Sequence, residues 1–207
     1  MNILDPEETF GSLSEAVGLD VRLRKALSRL GYVRPTLVQS KCLPLAISSG
    51  RDLLVKARTG TGKTLAYCLP ILHKILQKDC QSNGTNDVSN RNNSNKNEEE
   101  DAFVKAVILV PTRELCTQVT TTIQNLIYYC DEVVSVAALI SGKNSTKSAI
   151  AQQEAMLRDR PNVLVSTPAG LLTHIQKEKS VLKTTLKVSV ETLVVDEADL
   201  VLSFGTF

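Results

Sequence analysis

Residues 57 to 64 read Ala57-Arg58-Thr59-Gly60-Thr61-Gly62-Lys63-Thr64. Two glycines separated by one residue let the backbone turn tightly and aim amide N–H groups at one point. A lysine and a hydroxyl at the opening of a helix add a mobile cation and a metal-binding oxygen. This combination suits the phosphates of a nucleotide. The loop amides and the helix N-terminus attract the anion, Lys63 reaches the terminal phosphates, and Thr64 is a ligand for Mg2+. The first glycine of the common G-x-x-x-x-G-K-[ST] pattern is replaced by Ala57. Near the other end, Leu193-Val194-Val195-Asp196-Glu197-Ala198-Asp199 is an apolar run closing on adjacent carboxylates. Alone it reads as a solvated turn. Paired with a phosphate loop it reads as the second half of a phosphoryl-transfer site, with Asp196 holding Mg2+ through water and Glu197 as general base.

Such a site needs a scaffold that presents loops at strand ends. Apolar strands are expected at residues 52–57, 106–110, 133–139, 162–166 and 192–196. Helices are expected between them at 63–78, 112–129, 146–158 and 169–177. Near-continuous apolar strands are buried on both faces, and the strand–helix alternation gives an α/β fold with a doubly wound parallel sheet. Two further helices precede it, at 21–30 and 37–47, and Thr36 is placed to cap the second. Residues 79–101 are rich in Asn and Ser with almost nothing to bury, and read as a disordered surface insertion.

Composition narrows the remaining classes. The chain has 207 residues, 43% of them apolar, enough for one core. Its net charge is +2 and it has no Trp, so any nucleic-acid contact must be local and no stacking platform is evident. The first ten residues carry no apolar targeting run, and no segment is long and apolar enough to span a membrane. The five cysteines are scattered without a CxxC pair, which reads as core packing in a reducing compartment, cytosol or nucleus. His73 and His174 lack metal-ligand spacing and read as plain helix residues.

Asp196-Glu197-Ala198-Asp199 spells the name motif of the DEAD-box RNA helicases, and Ala57 with the loop after it resembles that family's A-x-T-G-x-G-K-T. Pro111-Thr112-Arg113-Glu114-Leu115 resembles its PTREL motif. Gly31, Pro35, Thr36 and Gln39 resemble its Q motif, with Phe10 as the distant aromatic. The four motifs cover nearly the whole chain in the family's order. The resemblance implies a RecA-like domain binding ATP and Mg2+, with 1–50 as the Q-motif region and 51–207 as the first RecA-like domain. It implies that Gln39 reads adenine, Phe10 stacks on it, and Thr59, Gly60, Thr61, Gly62, Lys63 and Thr64 hold the phosphates. Lys63, Asp196 and Glu197 are then catalytic, with Thr64 and Asp196 on the metal. RNA contacts fall to Pro111, Thr112, Arg113, Gly142 and Thr167. Two motifs depart from the family: its Gly-Gly is Ser141-Gly142, and its Thr-Pro-Gly-Arg is Thr167-Pro168-Ala169-Gly170, without the arginine.

The family's Ser-Ala-Thr motif and second RecA-like domain do not occur in the chain. The Ser-Ala-Thr strand lies between the phosphate-loop and acidic-motif strands, so a gap is expected between 52–57 and 192–196. That leaves this stretch inactive alone, within a parent that acts as a monomer. Flanking residues, among them Pro35-Thr36-Leu37-Val38-Gln39 and Ser203-Phe204-Gly205, resemble the nucleolar branch acting on ribosomal precursor RNA with ribosome-assembly proteins. A DNA helicase on the same core, or a non-catalytic nucleotide- or RNA-binding product, are the alternatives.

Overall fold

A computed structural model of the chain describes residues 3–84, 103–140, 147–176 and 180–203. The residues cluster into two compact units: Met1–Gly84 with Thr122–Val134, and Thr85–Thr121 with Ser135–Phe207.

The first unit contains α1 (Phe10–Ala16), α2 (Val21–Arg29), α3 (Leu37–Ser48) and α4 (Lys63–Gly84). Each of the first three begins at a side-chain cap. Thr9 accepts from Ser12 N, Asp20 from Arg22 N, and Thr36 from Gln39 N. These caps satisfy backbone donors that have no acceptor within the helix. Helix α3 packs on α4, and the unit buries Leu13, Leu23, Leu43, Leu69, Leu72 and Leu76.

The second unit is built on β1 (Ala106–Leu109), β2 (Val136–Leu139), β3 (Val163–Ser166) and β4 (Thr192–Val195). Helix α5 (Arg113–Leu126) leaves β1, and α6 (Lys147–Arg158) precedes β3. Helices α7 (Pro168–Ile175) and α8 (Val181–Val188) follow β3, and α9 (Ala198–Ser203) follows β4. The strands pair in parallel in the order β2-β3-β1-β4. Leu139 pairs with Ser166, and Leu109 with both Ser166 and Val195, so all four carboxyl ends lie side by side. One face packs Val107, Leu139 and Leu164 with Phe103, Val104, Ala137 and Leu182.

Three expectations need correction. Residues 52–57 form no strand, and Leu54 is 99% exposed. A strand is a pairing relation rather than a local preference, and this stretch has no strand partner among the described residues. On the sheet side β4 is an edge among the described residues, and its Leu193 is 61% exposed. Helix α4 runs six residues into the segment read as a disordered insertion, while 85–101 lie outside the described residues. Helices α1, α8 and α9 lie outside the expected set; each spans eight residues or fewer, too short a window for a periodic pattern to declare itself.

Candidate functional site

In the first unit, the loop from Ala57 to Gly62 leads directly into α4. Gly60 and Gly62 have φ of 81° and 84°, which side-chain-bearing residues rarely adopt. Ala57 is not among the positive-φ residues, so a Cβ costs nothing there. Thr61 Oγ1 donates to Arg58 O at 2.7 Å and Lys63 Nζ donates to Ala57 O at 3.0 Å. The lysine ammonium thus lies back along its own loop, beside a helix start whose dipole favours anions. Thr64 lies in the first turn of α4.

Gln39 is 3% exposed and both ends of its amide are engaged. Its Oε1 accepts from Thr36 N at 2.8 Å, and its Nε2 donates to Gly62 O at 3.0 Å. A Cβ on Gly62 would collide with the Gln39 amide and crowd Thr36 Oγ1. Gly62 therefore serves both the turn and the seating of α3 on the loop.

Phe10 does not present a stacking face: it is 4% exposed, inside α1. Tyr32 is the exposed ring of this pair and meets Phe10 edge-on with ring centroids 6.2 Å apart. Tyr32 was missed in the sequence, although it directly follows Gly31 in the segment that holds Gln39. A cavity of about 310 Å³ borders both rings, with Gly31, Arg24 and Ser14 in its wall.

In the second unit, Asp196 N donates to Leu109 O, and Glu197 N to Asp196 Oδ1, both at 2.9 Å. Glu197 has a φ of 49°, an uncommon conformation for a residue with a side chain. It lies between the end of β4 and α9, whose first turn returns N–H groups from Leu200 and Val201 to Glu197 O. From the neighbouring strand, Thr112 Oγ1 accepts from Leu115 N at 3.2 Å and leaves Arg113 exposed at the start of α5. From β3, Thr167 Oγ1 accepts from Gly170 N at 3.2 Å and caps α7, with Pro168 in its first turn. Pro111, Thr112, Arg113, Thr167, Asp196 and Glu197 therefore share the carboxyl edge of the sheet, where α/β folds bind ligands. Ser141 and Gly142 lie outside the described residues.

The cysteines behave as packing residues. Cys42, Cys68, Cys116 and Cys130 are buried and Cys80 is exposed. Burial pushes the thiols of Cys116 and Cys130 up to about 11. His73 and His174 are less plain than they read. Both are buried; His73 Nδ1 accepts from Asp20 N at 3.2 Å, and His174 Nε2 meets Gln153 Oε1 at 2.8 Å. No helix is long and apolar enough to cross a membrane, and no group of three metal-binding side chains occurs, among the described residues.

Comparison with known proteins places this geometry among relatives. The profile of the DEAD/DEAH box helicase family matches residues 36–207. A Dictyostelium discoideum protein named "Probable ATP-dependent RNA helicase ddx56" is 43% identical over 204 residues, covering 99% of this chain and 25% of that protein. The ATP-dependent RNA helicase DBP9 of Debaryomyces hansenii is 38% identical over 192 residues, covering 92% and 28%. This chain thus spans under a third of the length of these relatives. Among solved structures, the RNA helicase Prp28 of Chaetomium thermophilum bound to ADP is 29% identical with a TM-score of 0.66, covering 92% of this chain and 39% of that one. Yeast dbp5, bound to gle1, has the same TM-score of 0.66 at 22% identity over 99% of this chain and 42% of that one, a likeness of fold.

Proposed function

This chain belongs to the DEAD/DEAH box helicase family, and from that premise we propose that it is the ATP-binding part of an ATP-dependent RNA helicase. The supporting observation is the phosphate loop: two left-handed glycines, a lysine lying along the loop, and a helix start directly behind it. In this reading ATP phosphate takes the place of the Ala57 carbonyl on Lys63, and the ammonium balances charge that grows on the transferring phosphoryl group. Thr59, Gly60, Thr61 and Gly62 surround the phosphates, while Gln39 and Tyr32 meet the adenine. Thr64 and Asp196 offer hydroxyl and carboxylate oxygens, the hard donors Mg2+ prefers, and the metal would take its other ligands from phosphate and water. Bound there, it would neutralise phosphate charge. Glu197 takes the proton of the attacking water.

RNA meets the carboxyl edge through Pro111, Thr112, Arg113, Thr167 and Gly142, with Arg113 supplying a charged phosphate contact. Residues 1–50 serve as the Q-motif region and 51–207 as the first RecA-like domain. Ribosomal precursor RNA as substrate, ribosome-assembly proteins as partners and the nucleolus as location rest on the motif-flanking residues alone. Measuring ATP turnover with and without RNA tests the assignment. RNA-stimulated turnover in the full-length parent protein, lost in its Lys63→Ala variant, is expected; equal turnover in both sinks it, and stimulation by DNA alone would favour a DNA motor.

A further inference from the structure

We propose that His174 and Gln153 are positioning residues for RNA binding, holding the capped start of α7 against the carboxyl end of β2 through a buried hydrogen-bond chain. This rests on the reading that Thr167 and the start of α7 face RNA phosphate. Gln153 Nε2 donates to Ile140 O at 2.7 Å, and Gln153 Oε1 faces His174 Nε2 at 2.8 Å. A backbone carbonyl only accepts, so it turns the amide nitrogen toward β2. The amide oxygen is left to the imidazole, and His174 Nε2 must therefore carry a proton and donate it. One carbonyl thus fixes the amide orientation, and the amide fixes the ring. The preceding carbonyl of β2 is reached as well, since Ser166 Oγ lies 2.8 Å from both Leu139 O and Thr167 O and shares its one proton between them. Gly170 lies against Leu139 O, where a Cβ would collide with it. His174, Gln153 and Ser166 are all buried, so water competes little for these bonds.

The chain therefore brings α7 closer to β2 than a side chain at position 170 allows, and 170 is where the family pattern has its arginine. A guanidinium on a flexible stem tolerates some drift of the helix beneath it. A helix start that meets phosphate through backbone N–H groups and one hydroxyl does not, because those donors act only where the helix holds them. His174 and Gln153 supply that fixity.

RNA affinity is read from the anisotropy of a labelled single-stranded RNA, nucleotide affinity from a fluorescent ATP analogue, and folding from the thermal melt. His174→Leu keeps volume and removes the donor; His174→Gln restores an N–H near the Nε2 position. Gln153→Glu keeps an oxygen toward His174 but sets a carboxylate against Ile140 O. His174→Leu and Gln153→Glu are expected to bind RNA about tenfold more weakly, the cost of one unmatched buried polar group. Nucleotide affinity should hold, and His174→Gln should recover most of the loss. The inference is overturned if His174→Leu and Gln153→Glu bind RNA like the parent. It is equally overturned if RNA and nucleotide affinity fall together in all three variants, which is general destabilisation. If His174→Leu loses its cooperative melt, Gln153→Glu against His174→Gln decides alone. Thr167→Val and Arg113→Ala separate the two layers. Parent-like RNA binding in both removes the RNA-side reading and this inference with it, whereas loss in these two alone removes only the positioning role.

Discussion

Glu197, which we propose as the base, has an uncommon backbone. Its φ of 49° is a conformation that costs on the order of 1–3 kcal/mol where a side chain must adopt it. The bond from Glu197 N to Asp196 Oδ1 and the first turn of α9 hold it there. Glu197→Gln is expected to leave nucleotide affinity near parental while hydrolysis falls by roughly a hundredfold or more, the usual worth of a positioned base. Parallel loss of both would make Glu197 a structural or metal-holding residue. Gln39 poses the opposite question, because its amide is already committed to Thr36 and Gly62. If those bonds leave capacity for adenine, Gln39→Ala lowers the preference for ATP over GTP by about tenfold. Competition binding with the two nucleotides checks this; equal weakening of both assigns Gln39 to capping the loop alone. The loop residues and the acidic pair stand out in the sequence because the chemistry proposed for them restricts residue type. Phe10 misled because an aromatic that stacks on a base and one that fills a core look alike in sequence.

At the scale of elements, caps mark where two of the expected helices begin. Thr36 announces α3, and Thr167 with Pro168 announces α7. The stretch 52–57 was read as a strand from its apolar run, but a run does not say what lies beside it, and strands need neighbours. The grip of α7 on β2 was also hidden, since it depends on residues far apart in sequence meeting at Leu139 and Ile140. Gly170→Arg follows from that grip. It restores the family's residue, so pattern alone expects tighter RNA binding. The collision of any Cβ with Leu139 O instead forces α7 off the sheet. We expect RNA affinity to fall about tenfold with a lower melting temperature, at roughly the 1–3 kcal/mol that overpacking costs. Tighter binding at unchanged stability would refute this packing argument.

Across the whole molecule, His73 links stability to pH. Burial lowers its pKa below the ordinary 6.5, against the opposing pull of Asp20. Protonation at Nδ1 would also break the bond from Asp20 N. Between the lowered value and 6.5 the unfolded chain holds more protons than the folded one, so acidification drains stability. The contribution is fully present above 6.5 and is lost as pH falls from there toward the lowered folded value. Asp5 and Asp20, whose pKa values lie below the ordinary 3.8, contribute in a separate window that closes only in stronger acid. Urea melts between pH 7 and 5 should show stability declining in the parent and a flatter profile in His73→Gln, which keeps an acceptor for Asp20 N. Identical slopes would place the transition elsewhere.

The pairing of β4 with β1 also sets an order in time. Ser189, just ahead of β4, donates to Val104, just ahead of β1, across 85 residues. Closing so long a loop costs entropy before any contact returns it, and pairing of this kind is slow. We expect β4 to join strands that already stand together, with Glu197 arriving last. The full-length parent protein refolding from urea should regain binding of a fluorescent nucleotide in an earlier phase than it regains turnover. Recovery of both in a single phase would refute this order.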